Sequence, residues 1–112
     1  MLDTLYFLLY NAFVIMDIYD FSELFFIYKG LLTEKQADIF SLFIECDLSL
    51  GEISEIKSIS RQGVSDAINK TKEILLGYEE KLGLLTKKRQ LKKLQSRVSD
   101  DIKEEINLII GE

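Results

Sequence analysis

Two serines eleven positions apart constrain this chain more than any other feature. Ser49 opens the pattern S-x-x-E with Glu52, in which the hydroxyl and the carboxylate each take a backbone N–H at a helix start. Ser60 stands before a second helical run, where a serine oxygen satisfies one of the free amides of the first turn. Between them there is room for a helix of about two turns with Leu50, Ile53 and Ile56 on its apolar side. The turn Lys57-Ser58-Ile59 follows and holds one apolar residue. A short helix, a three-residue turn and a Ser-capped longer helix have the spacing of a helix-turn-helix.

The rest of the chain reads as helix too. It contains no proline, so nothing of that kind interrupts a helix interior. Ile18, Phe21, Leu24, Phe25, Tyr28 and Leu32 fall at three- and four-residue steps, which predicts a helix from Asp17 to Leu32 ending near Gly30. Thr33 and Gln36 form another capping box, opening a helix to about Cys46 with Ile39, Phe40, Phe43 and Ile44 inward. The helix after Ser60 carries the stripe Val64, Ile68, Thr71, Leu75, Tyr78, Leu82 and Leu85, with a bend expected near Gly77 or Gly83. Leu91, Leu94, Val98, Ile102, Ile106 and Ile109 continue the periodicity. Ser99, followed by two acids, predicts the start of a separate terminal helix. The expectation is one all-α chain of three parts: an apolar extension over 1–15, a helix-turn-helix domain over 16–85, and a helical segment over 86–112.

There is no histidine and one cysteine. That removes the Ser-His-Asp and Cys-His catalytic arrangements, most transition-metal sites and any internal disulfide. Cys46 lies in an apolar run and reads as a small buried hydrophobe. A reducing compartment, hence the cytoplasm, follows from this cysteine usage. Glu79 and Glu80 are candidate acids, but adjacent helical positions point in different directions. No enzyme, cofactor or metal is expected. Leu5 to Met16 is apolar, yet too short for a membrane span of about 20 residues. It also lacks the basic start and small-residue cleavage site of a secretory signal. It is either an extra helix capping the core or translated upstream sequence before a native start at Met16. The second is favoured, because the pattern that follows works without it.

The net charge of −5 argues against a purely electrostatic nucleic-acid binder. The charge is uneven, however: residues 60–97 hold ten bases and four acids inside an otherwise acidic protein.

The stretch LLTEKQADIFSLFIECDLSLGEISEIKSISRQGVSDAINKTKEILLGYEEKLGLL resembles the YlxM family of bacterial helix-turn-helix proteins. The resemblance covers about residues 16–85 and rests on Leu31-Leu32-Thr33-Glu34-Lys35-Gln36, Ser49-Leu50-Gly51-Glu52-Ile53, Ser60-Arg61-Gln62 and Tyr78-Glu79-Glu80-Lys81-Leu82. It implies a fold like region 4 of the sigma factors with long C-terminal helices, and a DNA-binding regulator. A place in the signal recognition particle pathway is inferred for the family from neighbouring genes. The chain departs from the family pattern in carrying Ser54 and Gly63 for alanines, Lys57 for a large apolar residue and Ser65 for an aromatic. Lys57 is expected to weaken the packing of the short helix, with Ile56 partly substituting, and Gly63 to loosen the first turn of the long one.

In a helix-turn-helix the N-terminal residues of the second helix reach base edges in the major groove. Here Val64 and Ile68 would hold that helix against Leu50 and Ile53. The candidate DNA-contacting residues are then Arg61, Gln62, Ser65, Asp66 and Asn69, with Lys70 and Lys72 near the phosphates. Gln62 suits adenine, and Arg61 suits guanine or a phosphate. The competing reading is a protein- or RNA-interaction module of the signal recognition particle pathway. Lys87, Lys88, Arg89, Lys92, Lys93 and Arg97 read as the wet side of a helix, or as a phosphate-contacting strip. The apolar stripe from Leu91 to Ile109 either docks on Phe21, Phe25 and Phe26 or pairs with a second copy. A homodimer is the favoured expectation, with Asp100, Asp101, Glu104 and Glu105 meeting the bases of the neighbouring subunit.

Overall fold

The computed structural model of the chain describes residues 18–111. The apolar segment before Met16 and the question of the native start therefore lie outside the described residues. The helices are α1 (Ile18–Tyr28), α2 (Glu34–Ile44), α3 (Leu50–Lys57), α4 (Arg61–Leu82), α5 (Leu84–Gln95) and α6 (Asp100–Ile110), with a 3-10 turn at Lys29–Leu31 and no strand among the described residues.

The caps explain the starts. The Thr33 hydroxyl accepts the Gln36 N–H at 3.2 Å, while the Thr33 N–H donates to the Gln36 side chain at 3.0 Å. Ser49 and Glu52 repeat the exchange, at 3.1 Å in each direction. The Ser60 hydroxyl accepts the Gly63 N–H at 2.9 Å. At the head of α6 Ser99 makes no side-chain cap, and Asp100 and Asp101 supply the negative charge that a helix N-terminus favours.

One helix end differs from expectation, and another falls at one of the two glycines named for it. α1 stops at Tyr28 and tightens into the 3-10 turn, which passes through Gly30 without a left-handed residue. α4 runs without interruption through Gly77 and ends at Gly83, whose φ of 61° places it in the left-handed region. Gly77 thus has helical backbone, and a Cβ added there meets nothing within 4 Å. Gly77→Ala is accordingly expected to stabilise the fold by about 0.5–1 kcal/mol. Thermal unfolding followed by circular dichroism should show a melting temperature several degrees higher.

The core forms where α1, α2 and α3 pack on α4. Phe21, Leu24, Phe25 and Tyr28 come from α1, Ile39 and Phe40 from α2, Ile53 from α3, and Val64, Ile68, Thr71 and Leu75 from α4. Burying each large side chain contributes about 1.5–3 kcal/mol. The Phe40 ring lies 5.3 Å from Phe25 and 6.1 Å from Phe43, centre to centre. Thr71, a buried polar side chain of this core, donates back to the Ala67 carbonyl at 2.9 Å and needs nothing from its neighbours. Phe43, Ile44 and Ile59 are half-buried against the same cluster.

Several expected core positions are corrected. Cys46 is exposed, because α2 ends at Ile44 and the chain turns away into a left-handed Asp47. Leu50, as the first residue of α3, and Leu82, as the last of α4, sit at helix ends beyond the packed faces and are exposed. Ile56 is 57% exposed and does not substitute for Lys57. Lys57, one turn after buried Ile53 on the same face, is half-buried, and its ammonium pairs with Asp38 of α2.

The passage from α4 to α5 is built on Glu79. Gly83 has no side chain with which to cap α5, so the carboxylate reaches forward from the last turns of α4. Its Oε1 accepts the Leu85 N–H at 3.0 Å and the Tyr28 hydroxyl at 2.6 Å. Its Oε2 accepts the Thr86 N–H at 3.1 Å and the Thr86 hydroxyl at 2.7 Å. The Tyr28 oxygen in turn accepts the Leu84 N–H at 3.1 Å. The first three amides of α5 are thereby satisfied by side chains from two other helices, at the end where an anion is favoured.

α5 docks on α1 through buried Leu85, the Arg89–Glu23 pair at 3.3 Å and Lys88 over the Phe26 ring at 5.5 Å. α6 folds back on α5, held by Gln95, which donates to the Lys103 carbonyl at 3.1 Å and to the Asn107 side chain at 2.6 Å. The C-terminal stripe is therefore divided. Its Leu94, Ile102 and Ile109 positions stay exposed, and only Ile106 is buried.

Candidate nucleic-acid interface

The turn between α3 and α4 sets the geometry of the site. Ser58 adopts a left-handed φ of 55°, which ends α3 sharply. Ser54 then locks the turn: its hydroxyl donates to the Ile59 carbonyl at 2.6 Å, and the Ile59 N–H returns to the Ser54 carbonyl at 3.2 Å. Ile59 tucks against the core, and Ile53 and Val64 close the angle from either side. Residues 49–72 thus form two helices joined by a fixed corner.

On α4 the spacing of Gln62, Asp66 and Asn69 puts them on one exposed stripe, which Glu73 continues. The Gln62 amide donates to the Asp66 carboxylate at 2.8 Å, so the two side chains hold each other in place. Ser65 is half-buried at the side of this stripe. Arg61 is exposed and lies back over α3: a Cβ on Gly51 would come within 3.1 Å of its guanidinium. Gly51 is thus the seat of the Arg61 side chain. Lys70 is exposed, 4.0 Å from Glu73.

Lys72 stands apart from the others. It is half-buried, with its ammonium 5.2 Å from the centre of the Phe21 ring and 5.4 Å from that of Phe43, and burial holds its pKa below the ordinary lysine value. Its long stem covers the aromatic edge of the core. Gly63, expected to loosen the recognition helix, places its N–H on Ser60. A Cβ there would stand 3.1 Å from that hydroxyl.

The sequence reads as acidic around its basic middle, but sequence reasoning did not place those acids beside the α4 face. Glu45, Asp47, Glu52 and Glu55 are all exposed on and before α3, the helix that crosses the phosphate backbone in this motif. The Glu52 carboxyl is held below its ordinary range by the Ser49 amide and hydroxyl, and so stays charged. The spacing of these acids against the cap was the available signal. Among the described residues no group of three or more His, Cys, Asp or Glu could hold a metal ion, and no helix is long and apolar enough to cross a membrane.

Comparison with known proteins agrees with this corner of two helices. The family model described as "Putative helix-turn-helix protein, YlxM / p13 like" matches residues 16–109. A protein of Caldanaerobacter subterraneus is 46% identical over 85 residues, which are 76% of this chain and 68% of that protein. One from Clostridium botulinum is 38% identical over 92 residues, 82% of this chain and 84% of its own. One from Mycoplasma capricolum is 46% identical over 79 residues, 70% of each chain. All three carry the family name UPF0122 alone. The chain belongs to the UPF0122 family, the YlxM/p13-like helix-turn-helix proteins.

Proposed function

We propose that this protein is a DNA-binding regulator that reads the major groove with the first turns of α4. The observation that carries this reading is the corner itself: a Ser60-capped helix held by Ile53 and Val64 so that Gln62, Asp66 and Asn69 face outward, with Arg61 exposed beside them and lying back over α3. Such a helix end offers side chains to base edges, with Gln62 suited to adenine and Asp66 able to accept from the cytosine amino group. Lys70 adds charge beside the stripe, and Ser65 lines its edge.

The test is a gel shift with fragments from around the protein's own gene. Binding should fall steeply as salt rises from about 50 to 200 mM. An Arg61→Ala/Gln62→Ala double variant should lose at least tenfold in affinity and its preference at the base pairs these two side chains read, because each lost base contact costs about 1–3 kcal/mol. Absence of binding to any genomic fragment at about 50 mM salt overturns the reading.

The exposed acids Glu45, Asp47, Glu52 and Glu55 beside this face favour a second reading. In it the same surface takes a protein or RNA of the signal recognition particle pathway in place of DNA. Retention of a purified particle component by the immobilised chain, together with a negative gel shift, would select it.

A further inference from the structure

We propose that the α5–α6 hairpin is the seat of a second copy of this chain, apposed about a two-fold axis so that the cations of α5 in one copy meet the acids of α6 in the other. This does not rest on the DNA reading. Three observations carry it.

The first is uncovered apolar surface. α6 brings five large apolar side chains, and only Ile106 is buried, at 8% exposure. Leu108 and Ile109 are 77% and 75% exposed, and Ile102 of α6 and Leu94 of α5 are exposed as well. Ile102 and Ile109 lie two turns apart on one side of α6. An eleven-residue helix is marginal by itself and depends on covering its apolar face.

The second is unmatched charge of both signs on adjacent helices. Lys87, Lys93 and Arg97 of α5 and Asp101, Glu104 and Glu105 of α6 are exposed and have no ion-pair partner among the described residues. The hairpin sets their helices side by side, yet they do not pair with one another. Glu105 falls between Ile102 and Ile109, with Asp101 one turn before it on the same side, so these two acids border the apolar strip.

The third is the division of labour among the cations. Arg89 and Lys88 turn toward α1, where they meet Glu23 and Phe26. These cations dock the hairpin on its own domain and leave Lys87, Lys93 and Arg97 pointing elsewhere.

A surface carrying cations on one helix and acids on the next selects its occupant. A nucleic acid or an anionic membrane takes the first and repels the second. A second copy turned through a two-fold satisfies both at once, because in such an interface the same patch meets itself with its contacts exchanged. The apolar strip between the two charge rows then leaves water.

Sedimentation equilibrium of the full chain over about 1–100 μM reads the outcome. A dimer is expected. Ile109→Asp should weaken it at least tenfold, with the far-ultraviolet circular dichroism unchanged because the side chain is exposed. Reversing the acids (Asp101→Lys with Glu105→Lys) or the cations (Lys93→Glu with Arg97→Glu) should give monomers, each alone. An equimolar mixture of the two reversed chains should restore a dimer, since each row then meets its opposite. A monomer throughout, a higher oligomer, or a dimer indifferent to both reversals overturns the proposal.

Discussion

Glu79→Ala is expected to destabilise the protein by about 2–4 kcal/mol and to loosen the C-terminal hairpin before the rest unfolds. A hydrogen bond to a charged group contributes about 1.5–3 kcal/mol net, and a buried polar group left without its partner costs about 1–3 kcal/mol. Here the loss leaves the Leu85 and Thr86 amides uncapped and strips the fully buried Tyr28 hydroxyl of its acceptor. Urea unfolding should show the lower midpoint, and hydrogen exchange should show lost protection at Leu85 and Thr86. The effect depends on pH. Burial alone would raise the Glu79 pKa, but the bonds from Tyr28, Thr86 and the Leu85 and Thr86 amides outweigh it and hold it below the ordinary 4.5. The folded state therefore favours the carboxylate. That stabilisation is complete above pH 4.5 and fades as pH falls below it. The stability gap between the wild type and Glu79→Gln should narrow over the same acid range. At the alkaline end the signs reverse. Burial and the Glu79 bond push Tyr28 up to about 12, so its contribution is complete below pH 10 and fades from there to about 12.

Phe40→Ala should cost about 3–5 kcal/mol, the usual range for emptying a buried aromatic site. Phe40 is wholly buried, and its ring touches both Phe25 of α1 and Phe43 of its own helix. Such aromatic pairs contribute about 0.5–1.5 kcal/mol beyond their buried area. Against a total of about 5–15 kcal/mol, the loss brings a domain of this size close to unfolding at 37 °C. Phe40→Leu, which refills most of the volume, should cost about 1–2 kcal/mol. Calorimetry of the two variants checks the order. If alanine costs no more than leucine, α1 and α2 close over the vacancy, and the Phe40 contacts are not what hold them.

What could be read from residues alone was local. Thr33, Ser49 and Ser60 announce helix starts because a cap is a contact between residues three apart, and the structure shows all three bonds. The inward stripe of α4 from Val64 to Leu75 was legible for the same reason, since helical periodicity is a local property. The misses are non-local or lie at ends. Glu79 caps a helix that begins after a break in the chain, at six and seven residues' distance, and no local pattern marks that reach. Lys57 looked like a defect because its partner, Asp38, is nineteen positions away. Leu50, Leu82 and Cys46 look apolar enough to bury, but each sits where an element starts or stops and the packed face has already turned away. Of the candidate site, Gln62, Asp66 and Asn69 come together as spacing implies. Lys72 is set apart because its stem covers Phe21 and Phe43, a tertiary fact.

One helix of 22 residues carries the exposed Gln62-Asp66-Asn69 stripe at its start and Glu79 near its finish. At 1.5 Å per residue, Gln62 and Glu79 stand about 25 Å apart on a rod that bends little. α4 is therefore a lever arm. A swing of about 10° at the Gly83 joint would move Gln62, about 31 Å away, by about 5 Å, more than the rise of about 3.4 Å between successive base pairs. Because Glu79 and Tyr28 clamp that joint and α5 docks on α1, the two ends of the arm keep a fixed separation.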